Sequence, residues 1–298
     1  MLALAKRLKS DRFSARPLEG PKTVALLFDK PTLRTQVSFS AGVAELGGFP
    51  LLVDGNLAHV GVRESIADTA RVLGRQVCAI VWRTFDQSRL DEMAAHAGVP
   101  VVNALTDQFH PCQLLADLQT IEEHRGPLAG LTLTFLGDAA SNMAHSSLLA
   151  GATAGMHVRV SGPAGFEPDP SVLSRAQQIA ATTGGSATYV VDPRAAVDRS
   201  DVVATDTWVS MGKEDEADTR SAPFAPYSLT SDLLAGAGDE AIVMHCLPAH
   251  RGKEIDADLL EGPRSVVWDE AENRLHAQKA LLTWLLYHQR LDSKGGRP

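Results

Sequence analysis

The stretch Phe28-Asp29-Lys30-Pro31-Thr32-Leu33-Arg34-Thr35 sets two hydroxyls and two cations on one short turn. The apolar run 24–28 leading into it reads as a strand. The pattern after it reads as a helix with Val37, Ala41 and Ala44 on one face, stopped by Gly47-Gly48. A strand that hands over to a helix in this way aims backbone N–H groups and the positive end of the helix dipole at one point. Such a point holds anions. Arg34 adds a planar fork that matches phosphate, and Thr32 and Thr35 add short donors. The spacing is not that of a Walker loop, which needs a Gly-rich run ending in Gly-Lys-Ser/Thr. By residue type alone, a phosphate site and an N-capped surface helix with stray cations fit equally well.

Other reactive side chains sit at comparable junctions. Arg83 directly follows the apolar run 77–82, at the carboxyl end of a buried strand, where open α/β sheets bind ligands. A solvated strand-end cation is the plain alternative. His110-Pro111-Cys112-Gln113 opens a helix, with Pro111 suited to its first turn. His110 and Gln113 there could hydrogen-bond a polarised carbonyl. Asn142 lies where the strand 131–136 turns into a helix, as an N-cap-region residue or a ligand contact. Asp206-Thr207-Trp208-Val209-Ser210-Met211-Gly212 leaves another strand end, and His245-Cys246-Leu247-Pro248 a third. Arg274 falls in the first turn expected of the terminal helix. Cys78 and Cys112 read as core residues.

The elements that must position these groups alternate. Strands are expected at 24–28, 50–53, 77–82, 99–102, 131–136, 156–160, 187–191, 201–204, 241–244 and 265–268. Helices are expected at 63–73, 88–97, 111–121, 143–150, 171–181, 193–197, 256–260 and 270–287. The alternation predicts an α/β fold of two doubly wound parallel-sheet domains joined by interdomain helices. A composition break at Gly126-Pro127 divides them into 1–125 and 126–269, with the helix 270–290 packing back on the first. The turn 137–142 resembles a dinucleotide-binding opening, yet Gly-x-Gly-x-x-Gly is absent and no acid ends the strand 156–160, which argues against a nicotinamide cofactor.

The totals narrow the class. At 298 residues the chain has room for two domains. A net charge of −8 without a Lys/Arg run argues against nucleic acid. No apolar stretch approaches membrane-span length, and the N-terminal residues lack a signal peptide's apolar core. Three cysteines make no disulfide framework. The expectation is a cytoplasmic enzyme that uses no cofactor and no metal.

Singly these motifs are weak, but together and in this order they resemble the aspartate/ornithine carbamoyltransferase family, over about residues 17–290, and most closely its ornithine-using branch. The first two motifs mark carbamoyl phosphate users; Ser210-Met211-Gly212 and His245-Cys246-Leu247-Pro248 mark the branch. The resemblance implies a carbamoyl-phosphate domain, then an ornithine domain, and direct attack of the ornithine δ-amine on carbamoyl phosphate to give citrulline and phosphate. It implies that Thr32, Leu33, Arg34, Thr35, His59, Arg83, His110 and Gln113 hold carbamoyl phosphate, completed by Cys246, Leu247 and Arg274. It implies that Asn142, Asp206, Ser210 and Met211 hold ornithine, and that Arg83, His110, Cys246 and Asp206 are catalytic. A homotrimer with shared sites is the family expectation, with the His59 loop reaching a neighbour. Arginine biosynthesis is the expected setting.

This chain departs from the family at four positions. The usual turn Ser-Thr-Arg-Thr-Arg reads Thr32-Leu33-Arg34-Thr35-Gln36, so Leu33 offers only its backbone N–H and Gln36 no charge. His59 stands where the family often has Gln, and Arg63 matches a usually basic position. The polar loop 209–220 is expected to fold over ornithine as a lid. Rival readings are a carbamoyltransferase for putrescine, acetylornithine or aspartate, a metal hydrolase built on His110, Cys112, His145, His245 and Cys246, and a non-catalytic relative. No Cys-x-x-Cys or His-Glu-x-x-His spacing favours the hydrolase.

Overall fold

The computed structural model describes residues 1–209 and 222–295. The chain divides into two compact units, Met1–Ala116 with Asn273–Pro298, and Asp117–Glu272.

In the first unit, α1 (Leu2–Ser10) precedes β1 (Thr23–Phe28), α2 (Arg34–Glu45), β2 (Phe49–Asp54), α3 (Gly55–Ala58), α4 (Ile66–Leu73), β3 (Ala79–Arg83), α5 (Gln87–Ala97), β4 (Val101–Leu105) and the start of α6 (Pro111–Arg125). The sheet order is β2-β1-β3-β4, all parallel. Residues of β1 and β3 alternate between two cores. Val24, Leu26, Ala79 and Val81 pack with Phe39, Val43 and Leu282, while Ala25, Leu27, Ile80 and Trp82 pack with Ile66, Leu90 and Met93. Strands buried on both faces read as unbroken apolar runs, which is why they were visible in the sequence.

The second unit continues with the rest of α6, β5 (Thr132–Leu136), α7 (Asn142–Thr153), β6 (His157–Ser161), α8 (Pro170–Thr183), β7 (Ser186–Tyr189), α9 (Pro193–Val197), β8 (Val202–Thr205), α10 (Ser231–Leu234), β9 (Ile242–His245), α11 (Ala257–Leu260) and the start of α12 (Val267–Gly295), whose remainder from Asn273 belongs to the first unit. The parallel order is β7-β6-β5-β8-β9. Each sheet therefore has a point where the winding reverses, between β1 and β3 in one and between β5 and β8 in the other. Ligands bind outside the carboxyl ends of strands at such points. Phe28 pairs in register with Arg83, and Leu136 with Thr205. The turn 29–34 and Arg83 thus flank the first reversal, and the turn 137–142 and Asp206 the second.

Three sequence expectations need correction. The buried face of α2 is Thr35, Ser38, Phe39, Gly42 and Val43, whereas Val37 is 58% exposed. Phe39 is the one large side chain on the helix and takes the sheet. The small residues Ser38 and Gly42 lie on the same side, and a Cβ on Gly42 would come within 3.2 Å of Lys279 Cγ. The strand expected at 265–268 is a single bridge between Ser265 and Val243, because α12 begins at Val267. That earlier start puts Arg274 in the second turn of its helix rather than the first. No helix among the described residues is long and apolar enough to cross a membrane.

Candidate functional site

In the first unit, Leu33 occupies the N-cap of α2, its side chain 70% exposed, and no side chain caps the helix. The N–H groups of the first turn therefore face outward beside Thr32 and Arg34. Thr35 is fully buried, and its Oγ1 accepts a 2.7 Å hydrogen bond from Arg274 Nη2. Lys30, counted as a second cation for the anion, is directed elsewhere: it pairs with Asp107 and lies 4.6 Å from the centre of the Phe85 ring.

Arg83 and Arg274 are almost fully buried. They also bear on His110, at the start of α6: burial first, then the charges of Arg274 and Arg83, hold the imidazole well below its ordinary range. His110 is thus neutral at physiological pH, a donor through one ring nitrogen rather than a cation. Gln113, in the first turn of α6, is buried as well. The structure therefore gathers Thr35, Arg83, His110 and Arg274 around one point. His59 joins none of these contacts. It is exposed on the loop after β2, at φ 48°.

In the second unit, Ser141 caps α7 by accepting from Ala144 N–H, so Asn142 is the first helical residue and is not itself the cap. Asp206 follows β8; its Oδ1 accepts from Cys246 Sγ at 3.2 Å and from Thr207 N–H at 2.7 Å. Burial raises the Asp206 carboxyl above its usual range. It raises the Cys246 thiol well above its own, helped by Asp206, Glu270 and Asp117. Cys246 therefore keeps its proton at neutral pH and is a poor nucleophile.

His245 is fixed from both sides. Its Nδ1 accepts from Leu247 N–H at 2.9 Å, and its Nε2 lies 3.3 Å from Glu254 Oε1. Nε2 accordingly carries the ring proton. The backbone of His245 also donates to Glu270 Oε2 at 3.0 Å. This bracing sets the Cys246-Leu247 turn, where Leu247 adopts φ 60°. Two of the three described non-glycine residues at positive φ, His59 and Leu247, are thus sequence-derived candidates, in keeping with the tendency of such strain to gather at functional positions. Ser210, Met211 and the expected lid lie outside the described residues.

Ligand atoms of Asp206, His245 and Cys246 fall within 4.8 Å of one another, a spacing that could suggest a metal. The donor chemistry does not fit one. The His245 Nδ1 lone pair is taken by Leu247 N–H, and its Nε2 faces Glu254. The other members of the hydrolase set are also engaged locally. Cys112 donates to Asn103 O at 3.2 Å, its thiol pushed up to about 12 by burial, and His145 Nε2 accepts from Asp169 N–H at 3.0 Å.

Sequence reasoning missed the residues that support the candidates: Glu254 and Glu270 behind His245, Asp107 beside Lys30, and Asp29, Thr84 and Arg89 at the first sheet's edge. Most of these pairings join separate elements, and none has a spacing that a local sequence pattern would mark.

Two parallel α/β units, one with an uncapped helix start among buried arginines and one with a carboxylate and a protonated thiol at its strand ends, define a group transferase that works on an anionic donor and a polar acceptor. The chain belongs to the aspartate/ornithine carbamoyltransferase family: residues 1–123 match its carbamoyl-P binding domain and residues 129–285 its Asp/Orn binding domain. It is 61% identical over 286 residues to an ornithine carbamoyltransferase of Clavibacter sepedonicus, covering 96% of this chain and 93% of that one. Among solved structures, the ornithine carbamoyltransferase from Pyrococcus furiosus is 44% identical with a TM-score of 0.92, covering 100% of this chain and 93% of that one. The anabolic enzyme from Campylobacter jejuni is 34% identical with a TM-score of 0.89, covering 95% and 93%.

Proposed function

We propose that this chain is an enzyme that transfers the carbamoyl group of carbamoyl phosphate to the δ-amine of L-ornithine, giving L-citrulline and phosphate. The observation that carries this reading is the cluster of Thr35, Arg83, His110 and Arg274 beside the uncapped start of α2.

The phosphate of the donor takes the N–H groups of Leu33, Arg34 and Thr35, the Thr32 hydroxyl and the Arg34 fork, with Arg274 and Gln113 beside them. Attack on the carbonyl carbon moves negative charge onto the carbonyl oxygen. Arg83, the neutral His110 and the Thr35 hydroxyl are the donors for that oxygen; one preplaced donor of this kind is worth about 3–4 kcal/mol. The carbon–oxygen bond to phosphate then breaks, and the released phosphate can accept the amine proton. Asn142, Asp206, Ser210 and Met211 bind ornithine, and Leu247 completes the carbamoyl phosphate contacts. Cys246 orients through the hydrogen bond to Asp206 rather than by forming a covalent intermediate.

A homotrimer serving arginine biosynthesis, with the His59 loop serving a neighbouring subunit, belongs to the same reading. The partly exposed apolar side chains of edge strand β2, Phe49, Leu51 and Leu52, support a covered face there. The Campylobacter relative, described as anabolic, supports the direction. Sedimentation equilibrium should give three times 31.8 kDa; a monomer would remove the shared site.

The test offers carbamoyl phosphate with ornithine, putrescine, acetylornithine or aspartate and measures ureido product. Citrulline from ornithine is expected. Product from putrescine instead would keep the roles of the first unit and overturn those of Asn142, Asp206, Ser210 and Met211. Since only the neutral amine attacks, and an alkyl ammonium titrates near about 10.4, kcat/KM for ornithine should climb from neutral to alkaline pH. A flat profile would count against amine deprotonation.

A further inference from the structure

Arg89 lies in the first turn of α5, where the positive end of the helix dipole disfavours a cation. What holds it there is a network in which the functional reading assigns it no part. Its Nε donates to Thr84 Oγ1 at 3.0 Å, and its Nη2 donates to the Val60 carbonyl at 2.8 Å. Its guanidinium lies 3.5 Å from Asp29 Oδ2 and 5.2 Å from the centre of the Trp82 ring. Asp29 in turn accepts from Trp82 Nε1 at 3.0 Å and from Thr84 Oγ1 at 2.7 Å. The side chain of Arg89 is three-quarters covered.

This network touches the His59 loop at both ends. At the entrance, a Cβ on Gly55 would stand 2.2 Å from Asp29 Oδ1, so the backbone rests directly on the carboxylate. At the exit, Arg89 holds Val60 O, and a Cβ on Gly61, at φ 77°, would come within 3.2 Å of Arg89 Nη1. Between these anchors His59 sits at φ 48°, its N–H bonded to Gly55 O and its carbonyl accepting from Val62 N–H. The same two side chains adjoin the phosphate turn, since Asp29 precedes Lys30, and the end of β3, since Thr84 follows Arg83.

We propose that Arg89 is a positioning residue for the transfer reaction, clamping the His59 loop to Asp29 and Thr84 so that His59 is presented in a fixed place. The proposal rests on the reading that His59 serves carbamoyl phosphate binding. A guanidinium suits the task because its planar fork satisfies a hydroxyl and a carbonyl together, which an ammonium cannot do in the same geometry.

The test uses the full-length protein with Arg89→Met, which keeps the apolar stem over Trp82 and removes the donors, and Arg89→Lys, which keeps the charge facing Asp29 and removes the fork. Hydrogen exchange at residues 59–63 should quicken about tenfold in Arg89→Met, with β1 and β3 unchanged, as expected of a local opening. KM for carbamoyl phosphate should rise about tenfold, Arg89→Lys should fall between, and Arg89→Met combined with His59→Ala should stay within about twofold of the worse single variant. Unchanged exchange in the loop overturns the proposal whatever His59 does. Fully multiplicative losses overturn it too, since Arg89 would then act apart from His59. If the loop loosens while His59→Ala is fully active, the role of His59 fails and the clamp on the loop stands.

Discussion

Asp206, in the ornithine-binding role proposed above, would serve chemistry at the expense of the fold. Its carboxyl is raised by burial, so the folded chain holds a proton more readily than the unfolded one. Stability contributed in that way is present at low pH and is lost as pH rises past the unfolded value of about 3.9. Asp206→Asn keeps an acceptor for Cys246 and Thr207, and should raise the melting temperature at pH 7 while abolishing citrulline formation; a lower melting temperature would contradict the burial argument. His110 has the opposite sign. The unfolded imidazole takes a proton near about 6.5, while the buried one refuses it, so stability falls as pH drops below that value. His110→Gln should flatten the melting temperature between pH 7.5 and 5.5, and an unchanged slope would assign the loss to other groups. At this scale the sequence was legible where donors are contiguous, as in Thr32-Leu33-Arg34-Thr35. It was silent on Asp29 and Arg89, whose roles exist only once the ends of β1 and β3 are side by side, and on Glu254, which returns to His245 by way of a loop. It misled at Lys30, whose charge is spent on Asp107 and Phe85.

Among the elements, α2 and α12 form the pair on which the proposed phosphate turn depends. Thr35 meets Arg274 near the start of α2, Gly42 lets the helices close together, and Glu45 meets Lys279 at its end. Lys279 is completely buried; its Nζ donates to Glu45 Oε2 at 2.8 Å and to the Arg12 carbonyl. Burial pushes the Glu45 carboxyl up, but hydrogen bonds from Arg12 and Lys279 outweigh it and hold the carboxyl below its usual range. Glu45→Leu should cost about 3 kcal/mol by stranding the fully buried Lys279, Lys279→Met should cost less because Arg12 still pairs with Glu45, and the double variant should recover most of the larger loss. Denaturant unfolding of the four proteins measures this, and additive costs would mean that the pair is not coupled. Little in the residue pattern warned of this. Apolar periodicity favoured Val37, Ala41 and Ala44 because small and polar Ser38 and Gly42 obscured the true face. Likewise, apolar residues 266–268 at a helix start imitated a strand.

For the whole molecule, the alternation of strands and helices carried the architecture, because fully buried parallel strands announce themselves as apolar runs. The division of the chain was harder to see. Boundaries at 116/117 and 272/273 fall inside the long helices α6 and α12, where no Gly/Pro break marks them. A chain cut after Glu272 keeps all of Asp117–Glu272 but loses Arg274, Lys279, Leu282 and Leu286 from the other unit. Such a chain should fail to bind carbamoyl phosphate in equilibrium dialysis, and retained affinity would show that Arg274 is dispensable. Assembly during synthesis has a fixed order as a result. On the ribosome, the Leu26 and Phe39 face of the first sheet emerges early, yet its covering residues Leu282 and Leu286 arrive only after everything between has been made. At ordinary elongation rates that wait is roughly ten seconds or more. Through it the nascent chain carries an open apolar surface, the kind that chaperones shield, and a donor pocket that stays incomplete until the last helix is released.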